Sequence, residues 1–332
     1  MARAVTLRAL GLAAALCVLA PTWGAATPTA DEVVPAGVLL LRLRTGQESV
    51  TQAFDHANKP MRLAAYLLPV DAAAGQITGD VTRTVSSTEL QLGFGLTDRW
   101  NIALTVPYLE VRQDSTLASA SGDSAVQRRV SALQSRESSG VGNLRIVSLH
   151  RPVFTDSNGF TWGFGFIVPS GAMTAPYLGP DTLDVRGPNR SGVVLLHYTR
   201  YPGARHSRFD LRVEAQAPQA ANVNTLDKIN ANLQIGNSAA VLVGWQQELG
   251  PALYGVWSSY RANTPAFLDG INQDDLKKDW RGGVRLGLGN LIALEQGPVA
   301  LPYQVSLDYE QTLDGANIPQ TNRVSLDFHT YF

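Results

Sequence analysis

Large apolar side chains recur at every second position along much of this chain. In FTWGFGFIVPS (160–170), Phe160, Trp162, Phe164, Phe166 and Val168 share one parity, and Thr161, Gly163 and Gly165 share the other. STELQLGFGL sets Leu90, Leu92, Phe94 and Leu96 against Glu89, Gln91, Gly93 and Gly95. NIALTVPY sets Ile102, Leu104, Val106 and Tyr108 against Asn101, Ala103 and Thr105. RFDLRVEAQA opposes Phe209, Leu211, Val213 and Ala215 to Asp210, Arg212, Glu214 and Gln216, and PYQVSLDYEQ opposes Val305, Leu307 and Tyr309 to Gln304, Ser306, Asp308 and Glu310. A period of two with one apolar and one polar face is the signature of β-strands. Helical periodicity is weak after the first residues.

Strands are read at 37–45, 83–96, 100–111, 141–152, 160–168, 191–200, 207–217, 237–249, 251–262, 279–294, 302–312 and 322–332, twelve in all. Short turns (97–99, 153–159, 201–206, around 250, and 295–301) alternate with longer links at 46–82, 112–140, 169–190, 218–236, 263–278 and 313–321. That alternation is the plan of an up-and-down antiparallel β-barrel with short periplasmic turns and longer outer loops. Most of the segments reach the roughly 9–11 residues that a tilted membrane crossing takes. A fourteen-strand barrel is the alternative; MRLAAYLLPV (61–70) and DKINANLQIG (227–236) are its candidate strands, and the latter is otherwise an extension of the eighth strand. The AAYLLPV stretch is apolar for an exposed loop, so 46–82 is expected to fold inward or against the rim.

The alternation alone fits a soluble sandwich or a transmembrane barrel. Closure into a barrel removes the sheet edges and satisfies every backbone group, as lipid demands; the alternation of short and long links, the leader-like first residues and the terminal Phe332 favour it. Then apolar side chains face acyl chains, and the charges line the interior. The expected lining residues are Arg42, Arg44, Glu89, Arg145, Asp210, Arg212, Glu214, Arg281, Arg285, Asp308, Glu310, Arg323 and Asp327. Their mixed signs suit either a polar conduit for a solute or cross-strand ion pairs that fill a narrow barrel. Trp100, Trp162, Trp245, Trp257 and Trp280 fall in or beside strands, as interfacial aromatic girdles would place them.

The first residues differ from the rest. Arg3 and Arg8 precede an apolar run over 9–20, and Gly24, Ala25 and Ala26 follow. This is the order of a secretory signal, expected to be cleaved after Ala26 and to leave the barrel as residues 27–332. Cys17, the single cysteine, lies in that run, and Leu16 stands where a lipoprotein signal needs a small residue. The chain carries 27 Lys+Arg against 28 Asp+Glu, so no basic surface points to nucleic acid. Losing Arg3 and Arg8 shifts the formal charge from -1 to about -3.

Catalytic signals are weak. His56, His150, His197, His206 and His329 have no obvious nucleophile beside them, and no Gly-x-Ser-x-Gly elbow occurs. Such histidines read as hydrogen-bonded wall or surface residues, and an outer-membrane hydrolase is only a third reading. NQDDLKKD (272–279) lacks the spacing of a calcium loop, and no cofactor or metal motif is visible.

The C-terminal NRVSLDFHTYF alternates Val324, Leu326, Phe328, Thr330 and Phe332 against Arg323, Ser325, Asp327, His329 and Tyr331. It resembles the terminal strand by which bacterial outer-membrane barrels engage their assembly machinery, with Thr330 standing where those strands often have a larger residue. LGFGLTDRWNIALTVPYL followed by GVGNLRIVSLHRPV resembles the outer-membrane barrel family labelled as transporters of the phenol-degradation meta pathway. The matching features are the LTDR turn (96–99), Pro107–Tyr108 ending an amphipathic strand, and the strand start at 140–144, within 89–152. The resemblance implies an outer-membrane barrel in contact with the lipid bilayer that passes small aromatic or apolar compounds. The alternative is a non-conducting structural barrel, or one that binds a surface partner through loops 112–140 and 169–190.

Overall fold

A computed structural model describes residues 33–155, 157–171, 187, 190–202, 207–273, 276–289 and 303–332. The proposed leader at 1–26, most of the 169–190 link, His206 and the 290–302 turn lie outside the described residues. Twelve antiparallel strands close on themselves: β1 (Leu39–Phe54), β2 (Val81–Thr97), β3 (Trp100–Ser115), β4 (Leu144–Phe154), β5 (Asn158–Val168), β6 (Ser191–Arg200), β7 (Ser207–Pro218), β8 (Ser238–Leu249), β9 (Ala252–Asn263), β10 (Lys277–Gly289), β11 (Tyr303–Ala316) and β12 (Ile318–Tyr331). Each pairs with its neighbour in sequence, and β1 pairs with both β2 and β12. Reciprocal bonds between Leu39 and Phe332 lock the first and last residues of the wall together (N to O 3.0 and 2.9 Å).

The pleat separates the two faces as the alternation requires. Phe166 is 61 % exposed and Leu286 62 %, whereas Gly163, Gly165, Arg285 and Asp308 on the opposite parity are buried. Among the described residues, no helix is long and apolar enough to cross a membrane. Near the end that carries the tight turns, periplasmic by the plan of outer-membrane barrels, Trp100 packs on His150 and Trp162 (centroids 4.2 and 5.4 Å). Trp245 meets Tyr254 edge-on at 5.4 Å. These outward rings fit a girdle. Trp257 does not: it shares its parity with Leu253 and Arg261, points inward and is 5 % exposed.

Several boundaries differ from the sequence expectation. β1 runs to Phe54, because polar residues beyond Thr45 still pair with β2 and β12 above the apolar band. The 313–321 link is not a long loop. β11 and β12 continue to a tight turn in which Asn317 adopts φ 55°, a left-handed conformation Asn tolerates. Of the MRLAAYLLPV stretch only Met61 and Arg62 lie in a strand, at the rim; the rest forms helices α1 (Leu63–Leu67) and α2 (Pro69–Ala73). A third helix, α3 (Ser124–Ala132), is capped by Asp123, whose Oδ1 accepts from Ala125 N at 2.7 Å. Nor does 227–236 extend the eighth strand. Residues 231–234 pair with 221–223 and 267–268 in a small separate sheet completed by 271–272. Twelve strands therefore stand, with two short outer strands, Pro60–Arg62 and Arg136–Val141, added at the rim. β3 changes partner at Pro107, pairing with β4 below it and with 136–141 above. Proline cannot donate to a ladder, and such residues sit where pairing breaks.

Candidate functional site

The interior of the barrel is the site. Its charged side is built by β10, β11, β12 and β1, where alternation delivers one ionisable side chain after another to the same face. Arg42 donates through Nε to Asp327 Oδ1 at 2.9 Å and closes a second bond through Nη2. Arg285 grips Asp308 through Nε and Nη2 at 2.7 and 2.8 Å, and its Nη2 lies 3.8 Å from Asp327. Arg281 bridges Asp279 and Glu310 at 2.8 and 2.9 Å. Arg44 donates to Ser325 Oγ at 3.2 and 3.0 Å and lies opposite Glu89 in the β1–β2 register. Across the barrel, Arg145 on β4 reaches Glu214 on β7 at 3.1 and 3.0 Å, and Arg212 also binds Glu214. On the inner face between Arg145 and Glu214, β5 presents Gly163 and Gly165 and β6 presents Val193 and Leu195. Asp210 accepts from Arg208 Nε (2.9 Å) and lies 2.8 Å from His197 Nε2.

Arg42, Arg44, Asp210, Arg212, Arg281, Arg285, Asp308, Glu310, Arg323 and Asp327 are buried, and Glu89, Arg145 and Glu214 are half-buried. Sequence reasoning missed the other half of the wall. Leu109 and Val111 on β3, Val147 and Leu149 on β4, Val193 and Leu195 on β6, Leu242 on β8 and Trp257 on β9 also face in. The signal was present in 144–152, which is apolar on both parities, and that pattern means burial on both faces. Among the histidines, His197 is a hydrogen-bonded wall residue and His150 belongs to the outward aromatic cluster. Among the described residues, no cluster of metal-ligating side chains occurs.

Trp257 lies flat across Gly283 of β10. A methyl group at Gly283 would fall 2.2 Å from the indole Cζ2, so only glycine fits beneath the ring. The Arg285 guanidinium stands 5.9 Å from the same ring. Gly283→Ala is expected to cost about 1–3 kcal/mol as an overpacked substitution, read as a lower midpoint of the heat-dependent gel-mobility shift. In a Trp257→Ala background the same change is expected to cost nothing. Equal loss in both backgrounds would contradict this packing.

Each mouth holds a segment of the chain. At the end with tight turns, residues 33–38 turn up into the barrel. Val33 packs on the inward Val147, Leu149 and Leu195, and Val34 is 2 % exposed. Arg151 donates to Val33 O, Gly37 N to Gly95 O (2.9 Å), and Ala36 N to Asp98 Oδ1 (3.1 Å). At the other end α1 and α3 cover the inward Val50 and Val81 with Leu63, Ala64, Val126 and Val130. Arg129 on α3 holds Asp71 on α2 at 2.9 and 2.6 Å, and Gln113 ties the cap to the wall through Leu133 O at 2.8 Å. The Asp71 hydrogen bond raises the Arg129 pKa above its usual value. In the outer loops, a hydrogen bond from Lys228 holds the Asp269 carboxyl below the ordinary carboxylate range. Backbone N–H groups of Lys59 and Ala57 do the same for Asp55. On the inner wall, Arg212, Glu214, Leu242, Arg261, Asp279 and Arg281 border a cavity.

Among solved structures, the chain is similar to an outer membrane channel from Pseudomonas putida F1, with a TM-score of 0.66 and 15 % identity over 92 % of this chain and 100 % of that one. The β domain of the Bordetella autotransporter BrkA (TM-score 0.42, 10 % identity, 90 % and 100 % covered) resembles it more loosely. So does a deletion mutant of the TodX monoaromatic hydrocarbon channel (TM-score 0.41, 7 % identity, 97 % and 98 % covered). At these identities the likeness establishes the fold, that of an outer-membrane β-barrel. No family model matches the sequence, and no curated protein matches it.

Proposed function

We propose that the protein is a channel of the outer membrane that passes small, partly apolar molecules. The observation that carries this reading is the make-up of the inner wall. Charged and apolar side chains share it, and the mouths are closed by chain segments resting on apolar contacts rather than by a continuous packed core. Segments docked in this way can leave without dismantling the wall. The P. putida channel has the same architecture, and the resemblance read in 89–152 points to small aromatic or apolar solutes. The thirteen inward charges then serve as the polar lining of the path. Export through a leader cleaved after Ala26 and insertion through β12, ending at Phe332, complete the proposal. The purified protein is expected to conduct in planar bilayers and to make liposomes swell in small solutes. A correctly folded barrel impermeable to ions and small aromatics would defeat the channel reading.

A second reading, a barrel that binds an extracellular partner, is favoured by the small outer sheet. There Ile229 and Ile271 are 77 % and 68 % exposed at the loop tips, more apolar surface than a bare loop needs. Shortening 224–230 separates the two readings. The channel reading expects unchanged permeability, whereas the second expects the loss of a cell-surface interaction.

A further inference from the structure

The cavity on the inner wall follows from the side chains that β8 delivers. Its inward residues are Ser238, Ala240, Leu242 and Gly244, none of them longer than leucine. The strands around it deliver longer ones. On one side β7 brings Arg212 and Glu214, in register with Leu242 and Ala240. On the other, β9 brings Ser259 and Arg261, and β10 beyond it brings Asp279 and Arg281. These side chains rise around the short column of β8 and leave a hollow over Ala240 and Leu242.

Both flanks of the hollow are ion pairs, and each is held from further along the wall as well. Arg212 binds Glu214, which also accepts from Arg145 at 3.1 and 3.0 Å. Arg281 binds Asp279 at 2.8 Å and Glu310 at 2.9 Å. Arg261 stands beside Asp279 in register. An ionic solute would have to displace one of these buried partners, which is costly. The unmet need lies one row above, and it is for donors. Gln216, 8 % exposed, donates through Nε2 to Glu214 Oε1 at 2.7 Å. That bond fixes the orientation of the amide, and its carbonyl oxygen is buried with no donor among the described residues. In the same row, two strands away, the side-chain oxygen of the half-buried Asn263 also has none. Buried acceptors without a donor are rare in native proteins and costly to keep.

We propose that this hollow binds a small neutral ring that carries several hydroxyl groups, as a monosaccharide or its glycoside does. Each hydroxyl offers one donor and two acceptor sites. The ring donates to the carbonyls of Gln216 and Asn263 and to Asp279, and accepts from the guanidinium forks, without separating either ion pair. Its carbon face lies on Ala240 and Leu242, where apolar burial adds to the polar contacts that fix its orientation. This deepens the channel reading and rests on it: the partly apolar solute becomes an uncharged, hydroxylated one.

The test uses the full-length protein in planar bilayers, with methyl glucoside as the probe and glucosamine and glucuronate as ring-matched ions. Methyl glucoside is expected to reduce the ion current with a saturable concentration dependence. At equal ionic strength the two charged rings are expected to block far less. Gln216→Met keeps the length of the side chain and removes the carbonyl, while Glu214 keeps Arg145 and Arg212. Its half-blocking concentration is expected to rise about tenfold, the scale of one hydrogen bond to a buried group. Ala240→Val, which fills part of the hollow, is expected to act in the same direction, and either variant decides where the other does not fold. Where neither folds, the comparison of the three probes on the unaltered protein decides. Methyl glucoside that leaves the current unchanged, equal block by the charged rings, or an unchanged half-blocking concentration in a folded variant overturns the proposal and leaves the channel reading standing. A folded protein that passes neither ions nor solutes overturns both.

Discussion

Asp327→Leu is expected to destabilise the barrel by about 3–5 kcal/mol, the size of effect seen when one partner of a buried ion pair is removed. Asp327 is 1 % exposed and accepts from Arg42, itself 2 % exposed. Without the carboxylate, Arg42 stays buried and loses the one carboxylate it grips with two hydrogen bonds. Arg285, which stands 3.8 Å from Asp327, keeps Asp308 and suffers less. The measurement is the midpoint of urea- or heat-dependent unfolding, followed by gel mobility. Arg42→Met combined with Asp327→Leu is expected to recover most of the loss, since replacing both partners by apolar groups is close to neutral. A double variant as unstable as the single one would show that the pair is not the unit of stability on this wall.

Gly95→Ala is expected to free the segment at 33–38 from the barrel mouth. A methyl group there would sit 1.9 Å from Pro35 O and 2.8 Å from Val34 O, backbone atoms that cannot rotate away. The hydrogen bonds between Gly95 and residues 37–38 (2.9 and 3.0 Å) would go with it. The wall itself is expected to hold, because β2 keeps its pairing with β3 along its length. The readout is labelling of a cysteine placed at Leu195, fully buried beneath Val33, by a membrane-impermeant reagent. Weakening the docked state by about 1.4 kcal/mol raises the open population, and with it the labelling rate, about tenfold. Val33→Asp, which sets a carboxylate against Val147 and Leu149, is expected to act in the same direction. Unchanged labelling in both variants, with unfolding midpoints intact, would contradict a seated segment.

The strands were legible because their physical cause is local. In 207–217 and 302–312 one parity is apolar and the other charged, so face and register follow from the pleat alone. The chain end was legible for the same reason: β12 alternates to its last residue. The mouths were not. α1 and α2 are too short for a helical period to emerge, and they are held by contacts with Val50 and Val81 from distant strands. The Asp123 cap before α3 was a readable local signal that the strand pattern overshadowed. Trp257 was placed in a girdle because tryptophan favours interfaces; its neighbour in register, Gly283, is what draws it inward. The charges of the candidate site were visible as a parity class. Their pairing was not, since Arg145 and Glu214 meet across two intervening strands, and only the curvature of the wall brings them together.

The claim beneath all of this is that the two parities of each strand face different media. Site-directed fluorescence tests it most directly. With Cys17 replaced by serine, single cysteines at Phe164, Phe166, Val324 and Leu326 and at Gly163, Gly165, Ser325 and Asp327 would carry a small dye in reconstituted bilayers. The first set is expected to be quenched by nitroxide-labelled acyl chains and the second set not. Equal quenching of both sets, or none of either, would contradict a closed barrel with its apolar face in lipid.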